Sequence, residues 1–302
     1  MTVSRPSVAA AVITYNRHDV LRQCLSALLN QTRQLDEILV VDNASSDGTP
    51  EMVADEFPSV RLIRMEDNTG AAGGFAAGLQ EAVTRGHDWV WVFNDDDMAD
   101  RDALNLMLET TLSLAGRPGI VACGRRNGEG EIYPLGAHWQ HRHVPLPAIR
   151  PDDPVLPLDV VTFSGTLVSA EMVRQVGVPQ ADYFMMIEDL EYCLRAKRAG
   201  WSVYVLPKPL ATALAMGSEG VAPPWRGYYQ TRNQLAMVLD RRSPLELFWW
   251  FVRTSKFCVG ALRSGDRPVE RLCLRLLGTW HALRHVTGRT IQPPAPSSGQ
   301  QS

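Results

Sequence analysis

The order of apolar and polar segments predicts an α/β fold, a mostly parallel central sheet with helices on both sides. Three observations carry that prediction. Short continuous apolar runs recur at residues 8–14, 37–41, 60–64 and 89–93, as strands buried on both faces require. Stretches with helical spacing separate them, and strands that alternate with helices run parallel. Polar loops follow the runs, at the sheet edge where ligands of such folds bind.

Each element has its own reason. The run VAAAVIT at 8–14 leads to a helix over 19–29, with Val20, Leu21, Cys24, Leu25 and Leu28 on one face and Asn16 or Asp19 as cap. EILVV at 37–41 is the second strand and ends in a turn-rich loop, 42–48. A short helix over 49–57, a strand over 60–64, a helix containing 79–84 and the strand WVWVF at 89–93 complete this half. Between 116 and 157 seven prolines loosen the pattern, which reads as a surface excursion with a hairpin. Order returns over 159–169, then comes a helix over 188–199, a strand over 201–206 and a helix over 227–239. The Pro- and Ser-rich end is expected to be disordered. The expected division is one large domain over 1–240, with two halves meeting at 110/111, followed by a basic amphipathic tail over 241–302.

Composition narrows the function. With 302 residues, 45% of them hydrophobic, the chain can bury a sizeable core, which excludes disordered and collagen-like classes. Five widely spaced cysteines without a C-x-x-C pair read as reduced thiols of a cytoplasmic protein. No apolar run approaches the roughly 18 residues of a spanning helix, and the start does not read as a secretory signal. The net charge of -3 is a cancellation: residues 241–302 hold ten basic and three acidic residues, the rest 20 basic and 30 acidic.

Four acidic or glycine-rich clusters carry candidate chemistry. Asp95, Asp96 and Asp97 directly follow WVWVF; adjacent carboxylates repel, so they belong in water or around a hard cation such as Mg2+ or Mn2+. Asp95 and Asp97 are spaced to converge on one ion, and Asp96 is placed for a ribose or sugar hydroxyl. Asp42 ends its strand in the same way, either as an ordinary Asx turn or as an acceptor for a base N–H or a ribose hydroxyl. The small-residue stretch 68–78 suits a backbone that approaches a diphosphate, or equally tight packing of a helix on the sheet. Glu188, Asp189 and Glu191 open a helix, where the dipole favours carboxylates in any case; a carboxylate there is also a candidate general base for an attacking hydroxyl.

Taken in order, these residues resemble a known family. Ile13-Thr14-Tyr15-Asn16-Arg17, the loop from Val41 to Gly48, Asn68-x-Gly70, Asp95-Asp96-Asp97, Phe163-Ser164-Gly165-Thr166, Glu188-Asp189-x-Glu191-x-Cys193-x-Arg195 and Tyr228-Tyr229-x-x-Arg232-Asn233 occur as in family-2 glycosyltransferases of the GT-A fold. The likeness covers about residues 7–240. It looks most like actinobacterial galactofuranosyltransferases, with rhamnosyltransferases next. The resemblance implies inverting transfer from a nucleotide-diphospho-sugar donor to a glycan or polyprenyl-linked acceptor. Under it Thr14, Asn16, Arg17, Asp42, Asn68, Gly73, Gly74, Asp96 and Arg232 bind donor. Ser164, Gly165, Thr166 and Tyr229 bind acceptor, and Asp95 and Asp97 hold Mn2+ or Mg2+. Asp189 is the base, with Glu188 or Glu191 holding acceptor hydroxyls. A metal-binding histidine of the family is replaced by Ala215 here. His138, His141 and His143 lie in the proline-rich excursion and read as surface or acceptor-side groups.

In the tail, residues 245–262 and 271–285 are aromatic and apolar, with Arg253, Lys256 and Arg263, then Arg271 and Arg275, beside the apolar stripe. Such faces either pack on the protein or lie in an anionic membrane surface, which predicts peripheral contact with the inner face of the plasma membrane. The acidic body carries no nucleic-acid module, so nucleic acid is not an expected partner.

Overall fold

The computed structural model describes residues 5–133, 136–145, 150–214 and 222–292. The expected tail disorder at 293–302 and the position of Ala215 fall outside the described residues. The chain divides into two compact units, Met1–Ala181 with Glu188–Gly217, and Asp182–Ile187 with Ser218–Ser302.

The first unit is built on a mixed sheet. Its first half contains β1 (Val8–Thr14), α1 (His18–Leu29), β2 (Glu37–Asp42), α2 (Thr49–Glu56), β3 (Arg61–Arg64), α3 (Gly70–Thr84), β4 (Trp89–Asn94) and β5 (Asp97–Ala99). There follow α4 (Ala103–Ser113), β6 (Pro118–Arg126), β7 (Ala137–Trp139), β8 (His143–Pro145), β9 (Leu156–Leu158), β10 (Thr166–Ser169), α5 (Ala170–Val176), α6 (Glu188–Arg198) and β11 (Ser202–Ala213). The strand order is β3-β2-β1-β4-β10-β6-β11-β5, with β9 on β11; β7 and β8 form a separate hairpin.

β1, β2, β3 and β4 run parallel, β10 is antiparallel to β4 and β6, and β11 is parallel to β6. The apolar run of β1 is explained by this position: Ala9, Ala11 and Ile13 enter the core on one side, and Val8, Ala10 and Val12 the core on the other. The sequence reading placed 116–157 outside the sheet, yet β6 lies inside it. Its proline stands at the first strand position, where no ladder donor is needed, and Gly119 and Gly124 admit Trp201 and the carbonyl of Pro207 at close range. The hairpin expected in that region is the pair β7–β8.

Stretch 68–78 is helix rather than loop from Gly70 onward. A Cβ on Gly74 would stand 2.6 Å from Ile13 Cγ2, one on Gly78 3.0 Å from Ala11 Cβ, and one on Gly73 2.4 Å from Thr69 Cβ. Gly74 and Gly78 therefore serve the close approach of α3 to β1, and Gly73 leaves room for the Thr69 side chain.

The second unit holds α7 (Pro224–Arg241), α8 (Pro244–Ser264) and α9 (Pro268–Leu283). The expected boundary at 240 would cut α7 from its partners. Tyr228, Tyr229 and Phe184 form an apolar cluster backed by Leu274, Leu277 and Ile291, so α7 belongs with α8 and α9. No described helix is long and apolar enough to cross a membrane.

Candidate active site

Strand directions bring the predicted groups to one edge of the first unit. The carboxyl ends of β1, β2, β4, β6 and β11 lie there; β10 runs the other way, so its beginning lies there too. That edge collects Thr14, Asp42, Asp95 to Asp97, Arg125 and Ser164 to Thr166. Helix α6 hands over at Gly200 to the beginning of β11, at the opposite edge. Its eleven residues span about 16 Å, which returns its first turn toward the same edge.

On the donor side the acidic triplet is already neutralised in part. Thr14 Oγ1 donates to Asp95 Oδ2 at 2.7 Å, and Arg17 Nη1 donates to Asp95 Oδ1 at 3.2 Å and Asp96 Oδ2 at 3.0 Å. Asp97 is fully enclosed, and Arg125 Nη1 reaches both its oxygens at 3.1 Å. Burial pushes the carboxyls of Asp95 and Asp97 up to about 6, against the opposing pull of Arg17 and Arg125 respectively.

This donor set does not fit an ion held by protein. Both expected metal ligands are bound to arginines, and among the described residues no group of three His, Cys, Asp or Glu could hold a metal ion. His138 pairs instead with Asp159 at 3.3 Å, and His141 and His143 are exposed.

The loops beside the triplet are cross-tied. Asn16, with φ 53°, donates its N–H to Ser45 Oγ and accepts from Ser46 N–H at its Oδ1. The Asp42 carboxylate is enclosed and accepts from Ser45 N–H, with Arg64 Nε at 3.7 Å and largely in solvent. Asn68 Oδ1 caps Gly70 N–H, and Asn43 Oδ1 accepts from Thr69 Oγ1 and N–H. Asn43 lies in the loop from Val41 to Gly48 that the sequence marks, but the sequence does not single out Arg64 or Arg125. Asn43 directly follows Asp42 in the turn, whereas nothing local marks either arginine.

On the acceptor side, Thr166 Oγ1 donates to Thr162 O and the Gly165 carbonyl accepts from Cys123 Sγ, so both have internal duties. Ser164 Oγ is buried without a partner among the described residues. Glu188 and Asp189 keep part of their surface in water, but Glu188 Oε2 is buried with no hydrogen-bond partner among the described residues. Burial raises both carboxyls above the usual range, Glu188 further because the Asp189 charge adds to it. Asp189 Oδ1 also accepts the N–H of Leu190 at 2.7 Å.

Three further expected residues have partners inside the protein. Glu191 forms an ion pair with Arg195 at 2.8 Å, and Arg195 also ties to the carbonyls of Val176 and Val178; this is a structural brace. Arg232, in the second unit, is 1% exposed. Its guanidinium donates to Asn233 Oδ1 and to the carbonyls of Tyr183 (3.0 Å) and Gly288 (2.7 Å), so each of its nitrogens already has a partner within the second unit. Tyr229 is fully buried, with its hydroxyl donating to Ile291 O at 2.7 Å. Gly73 and Gly74 likewise have their near space filled by Thr69 and Ile13, as described above.

An α/β sheet with acidic residues at the carboxyl edge of its strands, and a carboxylate pair opening a helix, gathers its candidate chemistry where open α/β sheets bind ligands. The chain belongs to glycosyl transferase family 2, whose family model matches residues 10–175. It is 32% identical over 203 residues to galactofuranosyltransferase GlfT1 of Mycobacterium tuberculosis, covering 64% of this chain and 66%, just under two thirds, of that relative. It is 28% identical over 308 residues to the N-acetylglucosaminyl-diphospho-decaprenol L-rhamnosyltransferase of the same species, covering 91% of this chain and 95% of the relative. Among solved structures, TarS 1–349 of S. aureus superposes with a TM-score of 0.60 at 16% identity, covering 91% of this chain and 80% of that one. Its complex with UDP gives 0.56 at 15% identity, covering 77% and 65%. The fold is therefore that of the GT-A glycosyltransferases expected from the sequence.

Proposed function

We propose that this chain transfers a sugar from a nucleoside-diphosphate donor, galactofuranose from UDP-galactofuranose, to a hydroxyl of a lipid-linked or cell-envelope glycan, with inversion. The observation that carries this reading is the first turn of α6, where two carboxyl groups stand side by side and one oxygen of Glu188 is buried without a partner among the described residues. A buried acceptor oxygen is costly unless a ligand donor completes it. An acceptor hydroxyl meets that need at Glu188, while Asp189 takes its proton. The acceptor oxygen attacks the anomeric carbon as the bond from that carbon to the β-phosphate oxygen breaks. UDP leaves from the opposite side, which inverts the centre, and the proton ends on Asp189.

Arg17 is placed to steady the leaving diphosphate. It is 48% exposed, already rests on Asp95 and Asp96, and presents its fork where a diphosphate would collect negative charge.

The galactofuranosyl reading rests on the relative at 32% identity, and rhamnosyl transfer from dTDP-rhamnose is supported by the relative matched along nearly its whole length. Peripheral membrane contact is supported by the apolar side chains that α8 and α9 leave in solvent, such as Phe251 at 64% and Leu276 at 67% exposure.

The test is UDP release in the presence of a lipid-linked glycan acceptor. Asp189→Asn is expected to lower turnover by about a hundredfold or more with donor binding retained. Equal release by variant and wild type removes Asp189 as base. Thermal shift with UDP- and dTDP-sugars separates the two donors.

A further inference from the structure

In the second unit, Arg253 of α8 and Arg275 of α9 converge on one ring. Their guanidinium carbons lie 5.4 Å and 4.6 Å from the centroid of Phe257. Arg275 Nη1 donates to Thr231 Oγ1 of α7 at 3.0 Å, and its fork lies flat against Gly227, where a Cβ would approach Nη2 to 3.2 Å. That glycine clears the space the guanidinium occupies.

Neither arginine has a carboxylate within ion-pair distance among the described residues. Arg241 has Glu246, and the nearby Asp266 is taken by Arg271 and Arg267. Burial lowers the affinity of both groups for their proton; for Arg253 the neighbouring Arg275 lowers it further, and for Arg275 Arg271 does so while Cys258 acts the other way. Two half-buried cations that share a ring and lack a counter-charge are a built place for an anion.

The surroundings identify what carries that anion. Phe248, Phe251 and Leu262 on α8 and Leu276, Trp280 and Leu283 on α9 each leave more than half of their surface in water. A free anion would satisfy the arginines but leave this apolar surface wet. A phosphate borne on a lipid satisfies both, and Arg284 stacked at 5.2 Å over Trp280 adds an amphipathic pair of the kind found at headgroup level.

We propose that Arg253 and Arg275 bind the phosphate of an anionic lipid headgroup while the exposed apolar side chains of α8 and α9 enter the acyl region. The assignment rests on the membrane contact proposed above and gives it a defined site.

The test is flotation of the full chain with phosphatidylcholine vesicles, with and without phosphatidylglycerol. Wild type is expected to bind the anionic vesicles. R253Q/R275Q is compared with K256Q/R263Q, which removes the same charge from exposed positions. Loss of general surface attraction costs about fivefold per charge. R253Q/R275Q is expected to lose about tenfold more than that control, with its Tm unchanged or raised, and R253K/R275K to recover part of the binding. Equal losses in the two double variants overturn the site. Binding abolished by F251S/L262S but kept in R253Q/R275Q overturns the site and leaves membrane contact standing. Failure of wild type to bind either vesicle overturns both. A Tm rise with inorganic phosphate and none with anionic vesicles assigns the pair to a free anion and overturns the lipid.

Discussion

Replacing Asn233 by aspartate would remove two N–H donors from a place where three carbonyls converge. Asn233 Nδ2 lies 2.9, 2.8 and 2.9 Å from the carbonyl oxygens of Tyr183, Met185 and Met186, and its Oδ1 accepts from Arg232 Nε. The segment so held contains Phe184, Met186 and Ile187 with φ of 64°, 66° and 77°. Left-handed backbone costs about 1–2 kcal/mol per such residue, so about 3–6 kcal/mol is offset by this clamp. An amide has two protons to give. Their loss from buried carbonyls costs about 1–3 kcal/mol each, and a charge-assisted bond to Arg232 returns about 1 kcal/mol. Asn233→Asp is therefore expected to lower the unfolding free energy of the second unit by about 1–5 kcal/mol, read by urea unfolding followed through tryptophan fluorescence. Amide exchange over residues 182–187 should accelerate with it. Met186→Gly, which relieves one strained position, should restore about 1 kcal/mol in the variant background. An aspartate variant within about 0.5 kcal/mol of wild type, with exchange unchanged, would refute the clamp.

Three further outcomes follow from particular groups. The Glu188 carboxyl is raised in the folded chain above its ordinary 4.5, so the native state holds that proton longer than the unfolded state. Its contribution to stability is present at low pH and is lost as pH rises from 4.5 through the raised value. Glu188→Gln should flatten the slope and be more stable than wild type at alkaline pH, and parallel urea curves across pH would exclude the burial. Gly74→Ala should cost about 1–3 kcal/mol by driving a methyl to 2.6 Å from Ile13, whereas Gly128→Ala, with nothing within 4 Å, should not destabilise; equal midpoints would contradict the packing. Without nucleotide, Mn2+ followed by water proton relaxation should not bind stoichiometrically, because Arg17 and Arg125 hold Asp95 and Asp97. Stoichiometric binding in wild type would show that the arginines yield readily.

Much of the first unit can be read from the chain alone because burial on two faces leaves a continuous mark. Strands β1, β2 and β4 are such runs, and the polar residues that end them fall at the ligand edge by topology alone. Strand β5 is three residues long and starts at Asp97, too short to show a period. Strand β6 hides behind Pro118, since a proline argues against a central strand until its place at the first position is seen.

Residue types at strand ends and helix starts, which are local properties, determined where carboxylates, glycines and hydroxyls of the candidate site belong. Which of them remain available was decided only by tertiary structure. Arg232 reads as a surface cation beside a donor site, yet carbonyls about fifty residues away consume its fork. Arg253 and Arg275 read as two cations of a basic tail until the packing of α7, α8 and α9 places both on Phe257 with no carboxylate at ion-pair distance among the described residues. A sequence states the charge of each side chain; the partner that satisfies it, or fails to, is chosen by contacts between distant segments.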